Sequence, residues 1–378
     1  MKKKYKINWS EPTFSKLDRS NLFKTFDSGW VTMGSKVKIF EKLLAKHVGK
    51  KYAVAVTNGT VALELAYKAV NINAGDEVIV PAISYFSTIS ALSNLKAKPV
   101  FVDIENETYN IDPYEIEKAI TKKTKAIAYI DYGGNPAQFK KLKKISKKYN
   151  LTLVQDAAQT LGCFYKNKSL ANVGDICTMS FHLAKIITSI EGGMIFTNNK
   201  KTYERLKILR NIGEKKKYFH TEVGTNARMT DLTASIGISQ FNELNNFLKK
   251  RKTIADLYFK QLSKNKLIKF IRPSRKYIKN SNFLFSILVS NRDKVIKYLK
   301  RFGIDTRVAY PMPIFDQPAY KNNKKLYRSL KCPKATEFSK KILNIPIYPK
   351  LKRVEIMYIS KMILNATKGH ENGLLRDR

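Results

Sequence analysis

One lysine in this basic chain keeps unusual company. Lys185 stands between Ala184 and Ile186-Ile187, five residues after Ser180 and six before Glu191-Gly192-Gly193. An amine among apolar neighbours is partly desolvated, which disfavours its charged form and lowers its pKa. The neutral amine is the nucleophile that forms a Schiff base with an aldehyde. The plainer alternative is a lysine whose stem lies on apolar surface while its ammonium stays in water. A second position is Asp156, in Val154-Gln155-Asp156-Ala157-Ala158-Gln159, where a carboxylate follows an apolar run. Such a group must be paired or solvated. Beside an aromatic nitrogen it would hold that nitrogen protonated and make the ring an electron sink. Capping a following helix is its simpler role. Gln159, three residues on, could reach the same ligand.

Two further stretches carry binding chemistry. Thr57-Asn58-Gly59-Thr60-Val61 is a small, hydroxyl-bearing turn leading into a helical pattern. A helix N-terminus of that kind presents free N–H groups to a phosphate, although a capped turn has the same composition. Pro81-Ala82-Ile83-Ser84-Tyr85 closes a strand with an aromatic residue, on which a planar cofactor could stack. A core tyrosine is the commoner explanation.

The elements that must position these residues are short β-rich runs separated by helical patterns. The runs are Tyr52–Thr57, Glu77–Val80, Pro99–Ile104, Ala126–Ile130, Leu151–Gln155, Ile176–Phe181 and Met194–Thr197. Between the first two, Val61, Leu65, Ala66 and Ala69 share a helical face; Ile116 with Ile120, and Phe139 with Leu142 and Ile145, do so between others. Strands alternating with helices predict an α/β fold, a mostly parallel seven-stranded sheet between helices. Ligands bind such sheets beyond the carboxyl ends of the strands. Ahead of the first strand, Val37, Phe40, Leu43, Leu44 and His47 recur at helical spacing, His47 reading as a packed or surface residue. A large domain over 1–245 and a smaller C-terminal α/β domain over 246–378 are expected.

Length and composition bound the rest. A chain of 378 residues exceeds one small core. The 43% hydrophobic fraction, with 20 Phe and 20 Tyr, argues for a folded protein. No apolar run approaches the roughly 18 residues of a membrane span, and the basic start lacks an apolar segment behind it, so a cytoplasmic location is expected. Cys163, Cys177 and Cys332 lack metal-ligand spacing and read as reduced core thiols. The net charge of +41 invites a nucleic-acid reading. Against it, lysines are spread along the chain, in short clusters such as Lys140 to Lys148 and Lys215-Lys216-Lys217, with no DNA-binding motif. A positive field would attract phosphorylated substrates.

These pieces together resemble the DegT-type (StrS-like) sugar aminotransferases, a pyridoxal-phosphate family with the type I aspartate aminotransferase fold. In order they are Asn58-Gly59-Thr60, Gly75-Asp76-Glu77 through Pro81, Pro99-Val100-Phe101-Val102-Asp103, Asp156-Ala157-Ala158-Gln159, Ser180-Phe181-His182 with Lys185, Glu191-Gly192-Gly193 and Asn226-Ala227-Arg228-Met229. The likeness runs from about residue 20 to about 360. It implies that Lys185 holds pyridoxal 5'-phosphate covalently and shuttles a proton, that Asp156 pairs with the pyridine nitrogen, and that Gln159 touches the ring hydroxyl side. Tyr85 would stack on the ring, Gly59, Thr60, Val61 and Ser180 would bind the phosphate, and Asn226 would reach the cofactor phosphate of a neighbouring subunit in a homodimer with shared sites. Loops around Trp30 and Tyr310-Pro311 would line the sugar pocket. The implied reaction moves an amino group from glutamate to a nucleotide-linked keto-deoxysugar by a ping-pong cycle, for surface polysaccharide. Two departures stand out: Ala184 before the lysine, and Asp131 where many members have histidine. The rival readings are a dehydratase of the same family, which would carry histidine in place of Lys185, and a non-enzymatic basic nucleic-acid-binding relative.

Overall fold

The computed structural model describes residues 7–271 and 278–368. The basic start lies outside the described residues.

All seven expected runs are strands, with ends displaced by a residue or two: Tyr52–Val56, Glu77–Pro81, Lys98–Val102, Thr124–Ile130, Thr152–Asp156, Ile176–Ser180 and Gly193–Thr197. They form one sheet, to which the two-residue strand Arg328–Ser329 adds an eighth member beside Lys98–Val102. Every neighbouring pair is parallel except those made by Gly193–Thr197, which runs antiparallel to both Ile176–Ser180 and Tyr52–Val56. The central strands are apolar on both faces because helices cover both. One face holds Val54, Leu63, Ala66, Ile89 and Leu206; the other holds Phe40, Leu44, Met179, Phe181 and Ala234.

The helix Ser35–Val48 buries Val37, Phe40, Leu44 and Val48, as its spacing predicts. His47 is a packed residue, its ring edge-on to Phe241 and Phe164 at 5.2 and 5.7 Å, and burial lowers its pKa. All three cysteines are buried free thiols.

A separate core gathers the C-terminal part. The antiparallel strands Ile268–Phe270, Phe285–Val289 and Ile342–Ile345 pack under the helices Leu244–Leu262, Arg292–Arg301 and Arg353–Lys368. Ile7 joins this core, while Ile314 and Tyr320 pack under the large sheet. The chain therefore crosses between the two cores more than once. A division at 245 falls in the first turn of the Leu244–Leu262 helix, whose residues from Ile254 onward serve the smaller core.

Candidate active site

Three strand ends meet at the carboxyl edge of the parallel sheet. Glu77–Pro81 leads through Ser84 and Tyr85 into the helix Phe86–Asn94; Thr152–Asp156 ends on its carboxylate; Ile176–Ser180 leads into the loop that carries Lys185. That loop is closed on itself. The Phe181 carbonyl accepts from the Ser189 amide at 3.0 Å and the Thr188 hydroxyl at 3.1 Å, and the Phe181 amide donates to Gly192 at 2.8 Å. Lys185 is thus held by backbone, not by its own side chain.

The Lys185 amine faces the Phe283 ring, 5.0 Å from its centroid. Desolvation lowers its pKa, and the Asp156 charge opposes that shift. Asp156 is buried. Its Oδ1 accepts from the Ala158 amide at 3.1 Å and its Oδ2 from the Thr88 hydroxyl at 2.7 Å; Thr88 in turn accepts from Ser84 Oγ at 2.9 Å. The backbone beside Phe283 is fixed by the buried Arg251 of the helix Leu244–Leu262, which donates to the carbonyls of Asn282 at 3.1 Å and Ile347 at 3.0 Å. Having no carboxylate partner among the described residues, Arg251 has its pKa pushed down by burial to about 10.

Gln159 joins this wall. Its Oε1 accepts from the Gly133 amide at 2.7 Å and its Nε2 donates to Tyr310 Oη at 2.8 Å. Burial drives the Tyr310 phenol well above its ordinary pKa, so it stays a neutral hydroxyl. Tyr85 is exposed, with its ring 6.3 Å from that of Tyr310. The Tyr310 loop therefore adjoins the lysine and aspartate. Trp30 is elsewhere on the chain, lining a recess of about 520 Å³ with Arg210 and Asp231.

The turn after the first strand forms a cradle. Asn58 caps the helix Gly59–Ala69 by accepting the Val61 amide at 2.9 Å, so Val61 already spends its N–H within the chain. The amides of Gly59 and Thr60 have no acceptor among the described residues. The Thr60 hydroxyl meets Ser87 Oγ at 2.7 Å. A Cβ at Gly59 would stand 2.8 Å from Ser180 Cβ, so only glycine lets the helix start lie against Ser180. Two free amides and neighbouring hydroxyls at a helix N-terminus fit a phosphate. The segment of Asn226 adjoins this turn, the Ala227 carbonyl accepting from the Thr57 amide at 3.1 Å. Asn226 is exposed and lines a separate recess of about 320 Å³ with Thr32, Arg228 and Thr230.

Sequence reasoning missed Thr88, Ser84, Ser87, Phe283 and Arg251. Asp131 is also explained: its Oδ1 accepts from the Ala137 amide at 2.8 Å and its Oδ2 from Gln155 Nε2 at 2.7 Å, below the surface. Burial raises its pKa to about 7. Thr88→Val keeps the shape and removes a hydroxyl from a buried carboxylate. Hydrogen bonds to charged groups are worth about 1.5–3 kcal/mol, so the variant is expected to lose about that much unfolding free energy, and denaturant melts of the two proteins would check it.

An α/β protein with a desolvated lysine and a buried carboxylate at the strand ends belongs to the proteins that put chemistry at the carboxyl edge of a sheet. This chain belongs to the DegT/DnrJ/EryC1/StrS aminotransferase family, whose profile matches residues 13–364. It is 33% identical over 359 residues to GDP-perosamine synthase of Escherichia coli O157:H7, covering 93% of this chain and 96% of the relative. Among solved structures, it superposes with TM-score 0.90 on Helicobacter pylori PseC, described as an aminotransferase involved in the biosynthesis of pseudoaminic acid; the two are 28% identical, over 97% of this chain and all of that one. The same score and identity hold for Spr1654 of Streptococcus pneumoniae, described as a sugar aminotransferase and solved in a PMP form, over 98% of this chain and all of that one.

Proposed function

We propose that the chain is a pyridoxal-phosphate-dependent aminotransferase that moves an amino group from glutamate to the keto group of a nucleotide-linked deoxysugar, in a ping-pong cycle serving glycan assembly. The observation that carries this reading is the pairing of a desolvated amine at 185 with a buried carboxylate at 156 whose charge it feels. Family membership, the name of the GDP-perosamine relative and the PMP form of the structural neighbour support it. When bound, the cofactor supplies an aldehyde for amine exchange and a ring that accepts electrons.

The chain's own groups then have distinct tasks. Lys185 would hold the cofactor through its aldehyde carbon and would move a proton at the substrate carbon. Asp156 would keep the pyridine nitrogen protonated, with Thr88 holding the carboxylate in place. Gly59, Thr60 and Ser180 would receive the phosphate, while Tyr85 and Gln159 would bound the ring. Lysine at 185 separates this reading from the dehydratase, which would have histidine there. The test is a screen of keto-sugar nucleotides with glutamate, following 2-oxoglutarate and a shift of the near-visible absorbance band. Absence of both the band and the shift would refute the assignment.

We also propose that the working unit is a dimer in which Asn226 completes the partner's site. Exposed apolar residues near this part of the fold, including Phe23, Phe26, Trp30 and Val223, suit such an interface. If each site takes Lys185 from one subunit and Asn226 from the other, mixing Lys185→Ala with Asn226→Ala protein restores one intact site per mixed dimer. Random exchange of subunits is expected to recover about a quarter of wild-type turnover. Recovery no greater than the sum of the separate variants would rule out sharing.

A further inference from the structure

Lysines that the sequence scatters are collected by the fold. Lys140 and Lys143 from the helix Phe139–Lys148, Lys166 and Lys168 from the hairpin around Phe164–Ser169, and Lys50 ahead of the first strand line one recess of about 960 Å³. Asp175 is the single carboxylate among the lining residues, and its Oδ2 already accepts the Leu153 amide at 2.8 Å. Lys50 forms part of the wall from within, only 8% exposed. Its Nζ donates to the Gly174 carbonyl at 2.7 Å, and no carboxylate among the described residues pairs with it. A buried ammonium with one neutral acceptor is poorly compensated. An anion arriving in the recess would complete it.

This recess is not the catalytic cleft. Lys50, Gly174 and Asp175 precede the strands Tyr52–Val56 and Ile176–Ser180, and Asn198 and Asn199 follow Gly193–Thr197, which runs the opposite way. All therefore lie at the edge opposite Asp156 and Ser180, a strand's length of roughly 16 Å away. The wall also holds Phe139 and Tyr165, edge-on at 5.3 Å and each half-buried.

We infer that this recess is a second ligand site, for a small molecule bearing a diphosphate. Lysines on separate walls suit two linked phosphates better than one. Inorganic diphosphate and a nucleoside diphosphate share this chemistry; the aromatic wall distinguishes them, since only the second has a ring to place there.

The test is calorimetric titration of the purified full-length protein with inorganic diphosphate and with ADP, at about 0.15 M salt, where screening acts beyond roughly 8 Å. Lys143→Ala/Lys168→Ala removes two recess charges. Lys215→Ala/Lys216→Ala, on an exposed hairpin, removes the same charge elsewhere. The recess variant is expected to bind at least ~10-fold more weakly, about 1.4 kcal/mol, while the control matches wild type. A tighter ADP complex that Tyr165→Ala reduces to the inorganic level identifies the nucleoside form; equal affinities identify the inorganic one. Equal weakening in both double variants would mean attraction by net charge alone. Binding left unchanged by the recess variant would belong to the catalytic cleft, and either result overturns the inference. Circular dichroism confirms folding, and Lys140→Glu provides a single-site repeat.

Discussion

Lys185→Ala is expected to yield a folded protein that holds no cofactor covalently and turns over about four to six orders of magnitude more slowly, as loss of a nucleophile does elsewhere. Folding should survive because the loop around residue 185 is closed by bonds from Phe181 to Thr188, Ser189 and Gly192, none of which uses the lysine side chain. The pKa shift adds a stability signature. The folded state binds the Lys185 proton less tightly than the unfolded chain, so the wild type loses stability as pH falls from the ordinary lysine range through the lowered value. The alanine variant lacks that loss, and its melting temperature at neutral pH should equal or exceed wild type. Borohydride reduction followed by peptide mapping decides the assignment. Label on residue 185 alone in wild type, and none in the variant, is the expected result; label on another lysine defeats it.

The strand runs were legible because each is a short apolar stretch between helical patterns, as strands of a parallel sheet covered on both faces are. Lys185 and Asp156 were legible because their immediate neighbours are apolar and their types are chemically specific. Thr88 was not, since a threonine in a helix carries no local mark of the carboxylate 68 residues away that it serves. Phe283, about a hundred residues from Lys185, meets it only through tertiary packing, and Arg251 acts one step further back, on the backbone at Asn282. The eighth strand, Arg328–Ser329, is too short to leave a periodic trace. The charge was misleading in a different way: lysines that look evenly spread along the chain converge in space, because a helix, a hairpin and a strand start line one recess.

Asp156→Asn is expected to separate two effects that a general loss of structure would not. Asparagine keeps an oxygen for the Ala158 amide but cannot hold a neighbouring ring nitrogen in its protonated form, so the electron sink weakens. Removal of one preorganised electrostatic partner commonly costs about 10²–10³-fold in rate, and the half-reaction with glutamate should slow by that much while the covalent link at Lys185 persists. The same substitution removes the charge that raises the Lys185 pKa against desolvation. The amine then loses its proton at still lower pH, and the acid limb of cofactor capture should move to lower pH. Slower chemistry with easier capture is a paired signature of opposite sign. Stopped-flow traces of both steps across a pH series would read it. A near-normal half-reaction would show that the carboxylate does not govern the ring, and an acid limb that stays in place would show that the two groups do not share a field.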